Sequence, residues 1–334
     1  MTIFAYNGGM ADILSLERIK DALGGLDVVG AIEEGFLAYS RGLVVVPPVA
    51  EMIFEDPPGD VHIKYGFIKG DDVYVIKIAS GFYRNPSLGL SSSNGLMLLF
   101  SQKTGELRAV LLDEGYLTNV RTAAAGAIAA KYLAPRAVRR IGILGAGIQG
   151  RLQLEYLRGV RDCRDVTVWG VGDEELAAYK KDMEALGFRV QTTREAGEVA
   201  AECNLIVTCT PSRSPLLAAG QIRPGTHITA MGSDTPEKQE LDPAILRMAD
   251  RVVVDSLSQA RLRGECFKAF EAGAIAPEDA VELGAVIGDA KLRRASDDEI
   301  TVADLTGVAV QDIQIAKAVW LKAGARRQSQ GPLP

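Results

Sequence analysis

Two kinds of apolar spacing alternate along the chain and divide it. Residues 16–39 carry apolar side chains at three- and four-residue intervals, which predicts one amphipathic helix. After a proline pair, Pro47 and Pro48, the period falls to two. VHIKYGFI (61–68) puts Val61, Ile63, Tyr65 and Phe67 on one face, VYVIKI (73–78) is a second β-rich run, and KGDD (69–72) between them signals a turn. SNGLMLLFS and ELRAVLLDE predict a further strand pair around QKTGE. From Arg121 the texture changes. TAAAGAIAAKYLA is an alanine-rich helix, and RRIGILGAGIQG behind it opens a run of alternating strands and helices, with VTVWG, FRVQTT, NLIVTC, HITAMG and RVVVD as the later strands. Such alternation predicts a mostly parallel sheet covered on both faces. One more helix, GVAVQDIQIAKAVWLKA, precedes a polar tail, RRQSQGPLP, expected to fray. The predicted class is α/β: a Rossmann-type doubly wound parallel-sheet domain over 122–305, inserted in a smaller α+β domain built from 1–121 plus 306–334.

Composition narrows the function classes. A length of 334 residues suits two domains, and 47% hydrophobic with 24% charged residues excludes global disorder. The formal charge of −6 leaves no basic footprint for nucleic acid. No apolar run approaches the roughly 18 residues of a membrane span. MTIFAYNGGMADIL has neither the basic nor the apolar region of a signal peptide, so the cytoplasm is the expected location. The four cysteines, at 163, 203, 209 and 266, form no CxxC and read as small buried hydrophobes. With only His62 and His227 present, no metal site is expected.

Two features carry candidate chemistry. Gly145, Gly147 and Gly150 stand in GxGxxG spacing between a short apolar strand and a helical pattern. In that context the first glycine permits the tight turn, the second lets the backbone approach a pyrophosphate, and the third allows helix and strand to pack closely. Gly145, Ala146, Gly147, Ile148, Gln149 and Gly150 are therefore the predicted dinucleotide loop. The second strand ends at Gly170, with Asp173 three residues late and no arginine beside it in sequence to hold a 2′-phosphate. This leans to NAD(H), with NADP(H) as the alternative. The other feature is a lysine pair. A symmetric hairpin over KGDD sets Ile68 opposite Val73 and Lys64 opposite Lys77, with His62 on the face of Lys64. Directly opposed lysines destabilise each other. Either they splay into solvent, or an anion sits between them.

Taken together, VIKIASGFYRNPSLGL (75–90), LTNVRTAAAGAIAAKYLAP (117–135), the glycine loop, VTCTPSRSPLL (207–217), MGSDTPEKQEL (231–241) and DLTGVAVQD (304–312) resemble the ornithine cyclodeaminase/mu-crystallin family over nearly the whole chain. That family also includes amino-acid dehydrogenases and ketimine reductases. The resemblance implies a homodimer built through the N-terminal domain. It assigns Lys77 to the substrate carboxylate and reacting centre, Arg121 to the same carboxylate, and Ser92 to a hydroxyl near the substrate. Thr122, at a helix start beside Arg121, would approach the cofactor phosphates. Thr208, Thr210 and Pro211 would line the nicotinamide ribose, with Ser233 beside them, and Asp234 would be the catalytic acid by the nicotinamide. Two departures bear on the substrate. Pro47-Pro48-Val49 lacks the arginine that commonly follows this proline pair in the family. Lys64 stands where ornithine-specific members are expected to carry an acid for the distal ammonium. That charge reversal argues for a second carboxylate on the substrate. The implied activity is NAD(P)H-dependent reduction of a small α-imino acid, iminosuccinate to aspartate in particular, with Lys64 and His62 on the distal carboxylate. The alternatives are ornithine cyclodeamination and crystallin-like binding without turnover.

Overall fold

The computed structural model describes residues 11–82 and 84–330. The chain divides into two compact units, one of residues 1–121 and 308–334 and one of residues 122–307. In chain order the first unit holds β1 (Asp12–Leu14), α1 (Leu16–Leu23), α2 (Val28–Ser40), β2 (Val44–Val45), β3 (Ala50–Phe54), β4 (Gly59–Ile68), β5 (Val73–Phe82), β6 (Ser93–Ser101) and β7 (Leu107–Leu111). Helix α3 (Tyr116–Leu133) follows. The second unit continues with β8 (Ile141–Leu144), α4 (Ile148–Leu157), β9 (Asp165–Trp169), α5 (Asp173–Ala185), β10 (Arg189–Thr193), α6 (Ala196–Glu202), β11 (Leu205–Thr208), β12 (Arg213–Leu217), β13 (His227–Ala230) and β14 (Gln239–Leu241). It closes with α7 (Pro243–Met248), β15 (Arg251–Val254), α8 (Leu257–Ala260), α9 (Gly264–Glu271), β16 (Ala280–Glu282), α10 (Leu283–Gly288) and β17 (Thr301–Asp304), and α11 (Ala309–Gln330) returns to the first unit.

The single helix expected over 16–39 is two. Gly25 adopts φ +84°, and Asp27 restarts the chain by accepting a hydrogen bond from Gly30 N at 2.9 Å. The last helix runs on through residue 330, into the tail expected to fray; residues 331–334 lie outside the described residues.

The first unit's sheet has the order β1-β7-β6-β5-β4-β2, with β3 also on β4. Its register sets Lys64 opposite Lys77, then Met97, Leu111 and Leu14 across successive strands, so these five side chains share one row of one face. That face is the core. Leu14, Met97 and Leu111 are fully buried, as are Leu99 and Ala109 in the next row, and α11 packs across β4, β5 and β6. The lysine pair is therefore not a solvated face. The alternating apolar set that includes Ile63, Tyr65 and Phe67 instead lies on the opposite face and stays half-buried.

The second unit's main sheet is parallel throughout, with order β10-β9-β8-β11-β13-β17-β15-β16. From β8 the chain winds outward through β9 and β10, then returns to β11 on the other side. The strand order thus reverses between β8 and β11, and ligands of open parallel sheets bind outside the strand ends at such a point. Val302 and Ala303 of β17 are fully buried between β13 and β15, a central strand that the sequence pattern missed.

Candidate active site

In the second unit the glycine loop lies at the carboxyl end of β8. Gly145 has φ +117°, and a Cβ there would meet the Cys209 carbonyl oxygen at 2.8 Å. A Cβ at Gly150 would fall 2.1 Å from the Gly145 carbonyl oxygen, so α4 can start this close to β8 only with glycine. Gly147 is different. It is the N-cap of α4, its φ is an ordinary −80°, and a Cβ there meets nothing within 4 Å. Among the described residues nothing demands glycine at 147. The open space lies at a helix N-terminus, where backbone N–H groups and the helix dipole favour a phosphate. These residues fit a dinucleotide. Ile148 is exposed at the first turn, Gln149 follows it, and Ala146 is buried with its carbonyl accepting from Arg151. Gln153, fully buried in α4, donates to the Thr122 carbonyl at 3.1 Å. Thr122 is not at a helix start, because α3 begins at Tyr116.

Beside this loop, at the ends of β11 and β13, one carboxylate holds two turns together. Glu240 is fully buried. Its Oε1 accepts from Thr210 N and Thr210 Oγ1, both at 2.7 Å, and its Oε2 from Thr208 Oγ1 at 2.7 Å and Gly232 N at 2.9 Å. Glu265 in turn accepts from Glu240 N and Leu241 N. The hydroxyls of Thr208 and Thr210 thus turn inward to Glu240, and Ser233 Oγ, also buried, donates to the Lys238 carbonyl. The side chains expected to line a ribose are bracing the loops. Pro211 is exposed, and Asp234, with its carboxylate half-exposed, pairs with Lys238 Nζ at 2.6 Å. At the adenosine end an arginine does stand beside Asp173. Arg194, distant in sequence at the end of β10, donates to Asp173 Oδ1 at 2.9 Å.

In the first unit, burial and charge converge on the lysine row. Lys64 is 8% exposed, Lys77 3%, Arg121 5% and Asp312 1%. Asp312, from the first turn of α11, lies 3.4 Å from Lys77 Nζ and accepts from Arg121 Nε at 3.1 Å, while Gln311 Oε1 accepts from Arg121 Nη1 at 3.1 Å. Burial lowers the pKa of Lys77, and the neighbouring Asp312 offsets part of that. Burial alone would raise the Asp312 carboxyl, but Lys77, Arg121 and Lys64 outweigh it and hold it low. Asp113, the next carboxyl to act on Lys77, is pushed up by its own burial. His62 does not join this group. Its ring nitrogens lie 3.3 Å from Glu51 and from Asp60, and those two carboxylates disfavour a substrate carboxylate beside the ring. Ser92 is exposed, outside the strands, with its carbonyl accepting from Phe82 N.

Sequence reasoning did not single out Asp312, Gln311 or Glu240, which the structure places in contact with the expected site residues. All three lie inside the quoted motifs DLTGVAVQD and MGSDTPEKQEL, so the motif boundaries were the available signal. His227 is fully buried between Thr301 and Thr229 hydroxyls and held neutral by burial, and burial pushes Cys203 up to about 12. Among the described residues no cluster of His, Cys, Asp or Glu is arranged for a metal, and no helix is long and apolar enough to cross a membrane.

The profile of the ornithine cyclodeaminase/mu-crystallin family matches residues 10–326. The chain belongs to that family. An uncharacterized cyclodeaminase of Sinorhizobium fredii is 42% identical over 304 residues, covering 90% of this chain and 92% of the relative. The iminosuccinate reductase of Paracoccus denitrificans is 36% identical over 295 residues, 86% of this chain and 89% of that protein. Among solved structures, an archaeal alanine dehydrogenase dimer with bound NAD superposes with TM-score 0.86 at 36% identity, over 95% of this chain and 97% of that one. The α/β, Rossmann-type class read from the sequence holds, as does the family resemblance. Relatives in the family include imino-acid reductases and cyclodeaminases.

Proposed function

We propose that this protein is an NAD(P)H-dependent reductase of small dicarboxylic α-imino acids, converting iminosuccinate to aspartate. Family membership carries the coarser part, an oxidoreductase acting on C=N or CH–NH2 with NAD(H), NADP(H) being the alternative. The finer part rests on one observation: Lys64 is buried beside Lys77 on the core face of the sheet. Lys64, Lys77 and Arg121 bring three cationic side chains together on that face, with Asp312 beside Lys77 and Arg121. A substrate with two carboxylates complements such a cationic row better than one with a single carboxylate. Arg121 and Lys77 take the α-carboxylate; Lys64 takes the distal one. A distal ammonium, as in ornithine, would be repelled.

The bound nicotinamide supplies the hydride. The chain's residues position the imine and exclude alternatives to hydride addition at its carbon. Asp234 is the carboxylate assigned to the iminium N–H, whose positive charge it stabilises. The deciding experiment follows NADH and NADPH oxidation with oxaloacetate plus ammonia, pyruvate plus ammonia, and ornithine alone. Aspartate formation much faster than alanine formation is the expected result. Alanine formation at equal or greater efficiency would overturn the dicarboxylate assignment, and proline from ornithine without net NADH change would replace it with a cyclodeaminase.

The same reading makes the protein a homodimer through the half-buried face of the first unit's sheet. Ile63, Tyr65, Phe67, Ile76, Leu98 and Val110 line that face, beside a Tyr74–Phe100 stack with centroids 5.0 Å apart. A contiguous apolar sheet face of this extent marks an association surface. The archaeal alanine dehydrogenase relative is itself described as a dimer. Light scattering on Ile76→Lys should show monomer where the parent shows dimer; a parent that is monomeric at micromolar concentration refutes the assignment.

A further inference from the structure

We propose that Glu240 is a positioning residue for the nicotinamide half of the cofactor. It would act by fixing the gap between the turn at 208–211 and the loop at 231–234. This rests on the dinucleotide reading of the second unit. The two segments leave adjacent parallel strands, Thr208 being the register partner of Ala230, and both lie at the carboxyl ends where ligands of such sheets bind. Backbone bonds join the two segments at either end: Met231 N donates to the Thr208 carbonyl at 2.8 Å, and beyond the turns β12 pairs with β14. Between those ties a fully buried carboxylate spans the gap, accepting two backbone N–H and two hydroxyl hydrogen bonds, one N–H and one hydroxyl on each oxygen. The approach is close enough that a Cβ on Gly232 would fall 2.2 Å from the Thr210 carbonyl oxygen. The turn is also tied to the end of β8, since Cys209 N donates to the Leu144 carbonyl at 2.9 Å. Glu265 fixes Glu240 from behind through the Glu240 and Leu241 N–H groups. Loops, carboxylate and support all belong to one unit.

This arrangement makes Glu240→Gln a severe change despite its equal volume. Each oxygen of Glu240 receives one backbone N–H, from Thr210 on one side and Gly232 on the other. Whichever way a glutamine amide is turned, its NH2 meets a backbone N–H, donor against donor. One of the two loops must move. The glycine loop, which carries the phosphates, is not held by Glu240, so only the nicotinamide half should be affected.

The test compares NADH, which spans both halves, with ADP, which occupies only the adenosine and diphosphate half. Dissociation constants for both are measured by calorimetry on the parent protein and on Glu240→Gln. Loss of hydrogen bonds to a charged acceptor predicts NADH affinity at least about tenfold weaker, with ADP affinity changed less than about twofold. Thr210→Val, which deletes one hydroxyl donor and keeps both backbone ones, should show the same selective loss in smaller degree and remains informative if Glu240→Gln does not fold. Equal weakening of NADH and ADP would mean that Glu240 merely supports the fold, and unchanged NADH affinity would mean that it positions nothing; either result overturns the proposal. If the parent protein binds neither ligand, the dinucleotide reading itself fails.

Discussion

Replacing Lys64 by methionine keeps the length of the side chain and removes its charge. Lys64 is 8% exposed and lies in the row of Lys77, so its ammonium works in a partly desolvated setting. At an effective dielectric near 20, two unit charges 4 Å apart interact by about 4 kcal/mol, and charge-assisted hydrogen bonds measured by mutation are worth about 1.5–3 kcal/mol. Taking about 2–3 kcal/mol, kcat/KM with oxaloacetate plus ammonia should fall about 30- to 150-fold in Lys64→Met. With pyruvate plus ammonia, which presents no distal carboxylate, the change should stay within about threefold. A melting-temperature measurement on the same variant separates this loss from one of folding. The assay is NADH consumption under both substrate conditions, with product identified as aspartate or alanine. Lys64→Glu, which reverses the charge at this position, should lose still more on the dicarboxylic substrate. Equal losses on both substrates, or full retention of the preference for oxaloacetate, would refute the distal-carboxylate argument.

Three further outcomes follow, two from buried carboxylates and one from the glycine loop. Asp312→Asn removes the carboxylate that favours the charged form of Lys77, so the alkaline limb of kcat/KM should move to lower pH; breaking this buried pair should also cost about 3–5 kcal/mol in denaturant unfolding. Asp304, buried beside Asp255, Glu265 and Cys266, is raised from 3.8 to about 7. Between those values the folded chain keeps a proton that the unfolded chain has lost, so this stabilising contribution is full at low pH and lost as pH rises through 7. Asp304→Asn should flatten the stability-versus-pH curve in that window by about 1.4 kcal/mol per pH unit, and an unchanged slope would contradict the assignment. Gly147→Val should leave melting temperature nearly unchanged while abolishing NADH binding, because its Cβ meets no protein atom; Gly150→Ala should lower melting temperature, because its Cβ falls 2.1 Å from the Gly145 carbonyl oxygen.

The parallel sheet was readable because each βα unit announces itself locally, by a short apolar run, a turn and a 3.6-residue pattern. β17 escaped because TVAD is four residues that mix polar and apolar side chains, and only its place between β13 and β15 makes it a strand. The break at residues 24–27 escaped because apolar spacing continues across it, and the evidence lay in Gly25 and the Asp27 cap rather than in the period. Asp173 and Arg194 show the limit of searching along the chain for a partner, since neighbouring parallel strands brought together residues 21 apart.

The lysine row shows a different limit. Turn chemistry at KGDD was enough to pair Lys64 with Lys77, because hairpin register is local. Which face of that hairpin is buried is not local. Both faces of β4 and β5 carry apolar residues, and a reading by hydrophobicity picks the face of Ile63, Tyr65 and Phe67 as the core. The fold buries the other, because α11 arrives from the far end of the sequence and brings Asp312 onto Lys77 and Arg121. Asp312 was invisible as a site residue for that reason: its role exists only once residues 64, 77, 121 and 312 meet. A sheet that turns its lysines inward and leaves an apolar face half-covered violates simple patterning twice, and local violations of this kind are expected at functional surfaces. On the proposed function the inward charge takes the anionic substrate, and the outward apolar face takes a second copy. The substrate-discrimination test on Lys64 and the association test on Ile76 therefore probe opposite faces of one sheet, and each should leave the other's readout intact.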